Sequence, residues 1–155
     1  MLIFLDIDGV MVPAKSWKSQ ELMSDGFPAF SNKSVAVLQK LISEDVTIML
    51  TTSHKSNYTI EEWKNIFKNR NIDANKIKSL PENIKNLSRK DEIMNWFNLH
   101  NVNESFLIID DDKSLNDLPA YLKKNLVQTA AHIGLNDSHN EIISTILGNE
   151  IKSTQ

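Results

Sequence analysis

The chain has 155 residues, 41% of them hydrophobic and 24% charged, which bounds it to one ordinary globular domain. It has no cysteine, so disulfides, thiolate catalysis and cysteine-built zinc sites are excluded. With 17 Lys plus Arg against 20 Asp plus Glu the net charge is -3, and no basic excess advertises nucleic-acid binding, although a nucleic-acid end needs only a local patch.

Leu2 to Ile7 is a short apolar run interrupted by a carboxylate, the pattern of a buried parallel strand. No basic region precedes it, so the N-terminus does not read as a signal peptide. No run approaches the ~18 apolar residues of a membrane span, and a cytoplasmic chain with no membrane partner is expected. From Met11 to Asn32 the pattern is irregular, punctuated by Pro13, Gly26 and Pro28. This stretch reads as a loop or small flap. Its scattered Trp17, Phe27 and Phe30 either pack the flap or present an aromatic surface.

Ser31 or Asn32 caps a helix running to about Glu44, with Val35, Leu38, Leu41 and Ile42 on one face. Val46 to Leu50 is a second buried strand, ending in Thr51-Thr52-Ser53. Thr59 with Glu62 forms a capping box that opens a helix carrying Trp63, Ile66 and Phe67 on one stripe. Asn71 to Leu87 is weakly patterned; Ile77 to Leu80 reads as a short strand broken by Pro81. Ser88 with Asp91 starts another helix, on which Ile93, Trp96, Phe97 and His100 share a face.

Phe106 to Ile109 is a third buried strand, ending in Asp110-Asp111-Asp112. Leu126 to Thr129 reads as a last short strand. Asp137 or Ser138 caps a final helix containing Ile142, Ile143 and Ile146. The domain then spans residues 1–148, with a frayed polar tail over 149–155. Strands alternate with short helices, which implies an α/β fold: a Rossmann-like three-layer sandwich around a mostly parallel sheet.

Three apolar strands thus end in small polar or acidic groups. In an open parallel sheet the carboxyl ends of the strands line the ligand crevice, so these ends converge. Crowded carboxylates repel one another, and a hard divalent ion with oxygen ligands relieves the repulsion. Magnesium suits few carboxylates, several waters and a substrate phosphate. A carboxylate can attack phosphorus directly, and a second one two residues on can move the proton. Gly9 lets the backbone turn sharply from the strand end. Gly9, and Ser53, His54 and Lys55 after the second strand, are candidates to touch substrate. A cation must balance the phosphoryl charge, and Arg89 and Lys90 are both candidates.

These residues resemble the haloacid dehalogenase (HAD) superfamily. Phe4-Leu5-Asp6-Ile7-Asp8-Gly9-Val10 matches its first motif, an apolar strand followed by DxD and Gly-Val. The resemblance implies that Asp6 is the nucleophile and Asp8 the general acid/base. Ile48-Met49-Leu50-Thr51-Thr52-Ser53 matches the second motif, with the hydroxyl role open between Thr51 and Thr52. Arg89 or Lys90 stands at the third motif. Leu107-Ile108-Ile109-Asp110-Asp111 matches the fourth, which implies Asp110 and Asp111 as metal ligands beside Asp6 and Asp8, with Mg2+ as the ion. The chain is most similar to the small HAD domains associated with nucleic-acid repair proteins, on Arg89 to Trp96, the Asp110-Asp111-Asp112 run and Ile133-Gly134-Leu135.

Neither the interval from Asp8 to Thr51 nor that from Ser53 to Arg89 holds a sizeable cap. An open site suits an exposed phosphate on a macromolecule, either a nucleic-acid end or a phosphoprotein. The expected activity is therefore magnesium-dependent phosphomonoester hydrolysis. The alternatives are a catalytically silent binding or regulatory module, a phosphotransferase, and a small-metabolite phosphatase. His100, His132 and His139 show no metal spacing and read as structural or surface groups.

Overall fold

The structure, a computed structural model, describes residues 1–14 and 21–153, with the backbone alone over 149–153. Trp17 lies outside the described residues. Five strands form one sheet: β1 (Leu2–Leu5), β2 (Thr47–Leu50), β3 (Lys76–Ser79), β4 (Phe106–Asp110) and β5 (Leu126–Gln128). Their order is β3-β2-β1-β4-β5, and every pairing is parallel. Among the described residues the α-helices are α1 (Asn32–Leu41), α2 (Ile60–Lys68), α3 (Arg89–Leu99), the short α4 (Ala120–Lys123) and α5 (Asn140–Ser153).

Alternation along the strands builds two cores. Ile3, Leu5, Ile48, Leu50, Leu107 and Ile109 face one side, against Val37 and Leu38 of α1, Trp63, Ile66 and Phe67 of α2, and Ile143 and Ile146 of α5. Leu2, Phe4, Met49 and Ile108 face the other, against Ile93, Trp96 and Phe97 of α3 and Leu122 of α4. The result is the expected three-layer sandwich.

The capping chemistry works as the sequence implies. Ser31 caps α1, accepting from the Ser34 N–H at 3.2 Å. Thr59 and Glu62 exchange both bonds of a capping box at α2, and Ser88 accepts from Asp91 N at α3. Several boundaries differ. α1 ends at Leu41, because Ile42 turns to an extended conformation. β1 ends at Leu5, where the chain starts to fold over the Ile7 carbonyl, which accepts from the N–H groups of Val10, Met11 and Val12. Asn136, one residue earlier than expected, caps a 3-10 turn (Asp137–His139) that leads into α5. α5 runs through Gly148 to Ser153, so the polar tail is helical that far. Ile142 is exposed while Ile143 and Ile146 are buried.

Between β1 and β2, α1 is the regular element among the described residues; between β2 and α3 stand a 3-10 turn, α2 and β3. Phe27 and Phe30 are buried against Trp63 and Phe67, so of the two readings of these rings the packing one holds. No described helix is long and apolar enough to cross a membrane.

Candidate active site

β1 begins the chain, yet it lies in the middle of the sheet: β2 and β3 extend to one side, β4 and β5 to the other. The strand order therefore reverses between β1 and β4, and a crevice opens at their carboxyl ends. Leu5 pairs with Leu50 and with Ile109, so the next residues, Asp6, Thr51 and Asp110, form one row across three strands. The row is locked by backbone bonds from Asp6 N to Ile109 O at 3.1 Å and from Thr51 N to Leu5 O at 3.0 Å. All three side chains are buried: Asp6 is 5% exposed, Thr51 and Asp110 0%.

Arg89, the first residue of α3, reaches into this row from the other layer. Its Nη1 donates to Asp110 Oδ2 at 2.6 Å and to Thr51 Oγ1 at 3.3 Å, and stands 3.5 Å from Asp6 Oδ1. Thr51 Oγ1 in turn donates to Asp110 Oδ2 at 3.4 Å. Burial disfavours a charge on Arg89, but the carboxylates of Asp110 and Asp6 outweigh it and hold the guanidinium firmly protonated. One cation does not balance the acids around it. Burial, then the neighbouring Asp110 carboxylate, push Asp6 from 3.8 up to about 9, against the opposing pull of Arg89. Burial raises Asp110 as well, again opposed by Arg89.

Asp111 completes the acidic group. It reaches the cluster across Gly9, whose φ is +80°, a left-handed value that suits glycine. A Cβ on Gly9 would collide with the Asp111 carboxylate. Gly134 permits a second close approach: its φ is +79°, and a Cβ there would meet the Val10 carbonyl oxygen at 2.7 Å. The neighbouring Leu135 N–H donates to that same carbonyl at 2.8 Å, and the Gly9 carbonyl accepts from Thr129 Oγ1 at 2.7 Å, so both ends of the turn after β1 are fixed. Asp6, Asp110 and Asp111 each offer an oxygen, and these oxygens lie within 4.8 Å of one another. An all-oxygen set with an excess of negative charge fits a hard divalent cation.

The remaining candidates fall outside the row. Asp8, expected among the metal ligands, stands apart from the cluster: its side chain is 53% exposed and its Oδ2 lies 2.8 Å from His54 Nε2. Thr52 is buried, but its hydroxyl accepts from the His54 N–H at 3.2 Å and holds the turn, which leaves Thr51 as the hydroxyl facing Arg89. Lys55, expected to meet substrate, is buried, with its ammonium 2.9 Å from Glu92 Oε2. Lys90 donates its backbone N–H to Ser114 Oγ and brings no side-chain contact to the row, so Arg89 alone stands there. Ser53 lines a cleft of about 500 Å³ that runs up to Arg89 and Asp112.

Sequence reasoning missed Glu92. Its carboxylate holds Lys55 and lies 3.7 Å from Arg89 Nε, three residues away along α3. That i,i+3 spacing was the available signal.

Fold and site together define a small HAD-superfamily domain. The chain belongs to the family described as the HAD domain in Swiss Army Knife RNA repair proteins, whose model matches residues 2–140. No curated protein and no solved structure matches the chain.

Proposed function

We propose that this domain is a phosphomonoesterase working through an aspartyl-phosphate on Asp6. One observation carries the reading: a single nitrogen, Arg89 Nη1, lies 2.6 Å from Asp110 Oδ2, 3.3 Å from Thr51 Oγ1 and 3.5 Å from Asp6 Oδ1. A fixed cation and a hydroxyl beside a buried carboxylate are what a transferring phosphoryl group needs.

An Asp6 oxygen attacks phosphorus while the bond to the leaving oxygen breaks, and Asp8 gives its proton to that oxygen. Water then attacks the phosphorus of the acyl phosphate. Asp8 takes its proton, and inorganic phosphate departs with Asp6 restored as a carboxylate. Arg89 balances the charge that spreads over the phosphoryl oxygens. Asp6, Asp110 and Asp111 would hold Mg2+, which supplies the positive charge that offsets repulsion between carboxylates and phosphate.

The substrate proposed is an exposed phosphate on a macromolecule. The crevice has no inserted domain over it among the described residues, and the adjoining cleft of about 500 Å³ is lined by the neutral side chains of Ser53, Asn57 and Asn86 beside the acids Glu82, Glu92 and Asp112. The family's place in RNA repair proteins favours a nucleic-acid end over a phosphoprotein. The test is a hydrolysis screen with and without Mg2+, over oligonucleotides phosphorylated at either end, phosphopeptides and small phosphate esters. Magnesium-dependent release of phosphate, greatest from oligonucleotide ends, is expected. No release from any of them would overturn the reading in favour of a binding module.

A further inference from the structure

We propose that His54 is a positioning residue for Asp8, and that it selects which oxygen of that carboxylate handles the leaving-group proton. The inference rests on the phosphatase reading above and deepens it.

Asp8 is the catalytic group with the least support from the fold. Its side chain is 53% exposed, whereas Asp6 and Asp110 are held in the sheet row. An exposed carboxylate rotates freely, and a proton donor works only within hydrogen-bond reach of the departing oxygen. Among the described residues, His54 is the side chain that meets it: Nε2 lies 2.8 Å from Asp8 Oδ2. With Oδ2 engaged there, Oδ1 is the oxygen turned to the leaving group.

His54 is itself held through its backbone, through the turn it opens and through its ring. Its backbone N–H donates to Thr52 Oγ1 at 3.2 Å, which ties it to the end of β2. It opens the 3-10 turn Lys55–Asn57, and the Lys55 carbonyl accepts from Trp63 Nε1 at 3.2 Å. The edge of its ring meets Phe27 with centroids 5.7 Å apart and planes at 87°. Phe27 is 3% exposed, packs against Trp63 and Tyr58, and has the Arg70 guanidinium over its ring. Arg70 also bonds the Phe27 carbonyl at 2.8 Å. A rigid aromatic wall thus backs an imidazole that faces an otherwise mobile acid.

Leaving-group dependence tests the proposal. An aryl phosphate whose phenolate leaves unaided needs little protonation; an alkyl phosphate depends on the acid. In His54→Ala, kcat/KM for the alkyl ester should fall roughly 10- to 100-fold more than for the aryl ester, a part of the 10²–10⁴ that general-acid catalysis supplies. His54→Gln, whose amide nitrogen reaches the same place as Nε2, should restore most of that selectivity. Thermal melts of both variants separate this effect from unfolding. Equal losses on the two esters, or failure of His54→Gln to recover selectivity while remaining folded, would overturn the role of His54 and leave the phosphatase reading standing. An unaltered chain inert toward both esters would overturn the phosphatase reading itself, and this inference with it.

Discussion

Two arginines in this chain, one buried and one half-buried, meet carboxylates, and they differ in what is left over. Arg70 is 4% exposed and closes on itself. It forks onto Asp25 at 2.6 and 3.0 Å, donates to the carbonyls of Pro28, Phe27 and Ile66, and lies over the Phe27 and Phe30 rings. Its hydrogen bonds hold Asp25 well below the usual carboxylate range. Arg89 faces Asp110, Asp6 and Glu92, while its Nε is buried without a hydrogen bond. Around it Asp6 is pushed up to about 9. One cation matched to one acid, with every donor used, is structural. One cation among surplus acids is what the proposed function requires, a site that a divalent cation and a phosphate would complete.

The comparison breaks or sharpens under substitution. The largest effect is expected at Asp6: Asp6→Asn, nearly isosteric, should cost at least ~1,000-fold in turnover of a phosphate ester while the circular dichroism spectrum stays native. Arg89→Met should follow, with kcat/KM down roughly 100- to 1,000-fold from loss of the fixed charge. Arg70→Met should act instead on stability, costing about 3–5 kcal/mol in a denaturant melt because it removes the countercharge of Asp25 and the side-chain donors to the Pro28, Phe27 and Ile66 carbonyls. Were Arg70→Met to abolish turnover in protein that remains folded, the division between the two arginines would fail.

pH separates the two regions by sign. Asp6 has a raised folded value, so it stabilises fully below its ordinary 3.8, and that contribution is lost as pH climbs toward about 9. Asp25 has a lowered one, so its contribution is present above 3.8 and is lost as pH falls below it. Melting temperatures without divalent ions should therefore carry a declining contribution from Asp6 as pH rises from 3.8 toward about 9, and one from Asp25 as pH falls below 3.8. Asp6→Asn should reduce the first slope, leaving the part that the raised Asp110 supplies, and Arg70→Met should remove the second. Added Mg2+ should flatten only the first. The smallest effect is expected for Lys90→Ala, about 0.5 kcal/mol or less in stability, against the large loss at its neighbour Arg89.

Much of this was legible because it is local. An apolar run stopped by an acid marks a strand end, and Ser31, Thr59 and Ser88 announce helices by capping. The row of Asp6, Thr51 and Asp110 follows from parallel pairing alone. What was hidden is non-local. Asp25 and Arg70 are 45 positions apart, and Asp8 and His54 are 46. Such pairs leave no periodic trace, and Phe27 links them by meeting both the His54 ring and the Arg70 guanidinium. The four-residue α4 is too short to carry a pattern. Gly9 was read as a turn residue; that its missing Cβ makes room for Asp111 needed the third dimension.

The central claim is that Asp6 carries the phosphoryl group. Brief incubation with a phosphomonoester radiolabelled at phosphorus, acid quenching and peptide mapping test it most directly. The label should be found on the peptide containing Asp6, acid-stable and discharged by hydroxylamine, and should be absent from Asp6→Asn. Turnover with no labelled protein under conditions that trap acyl phosphates, or a label on any other residue, would contradict it.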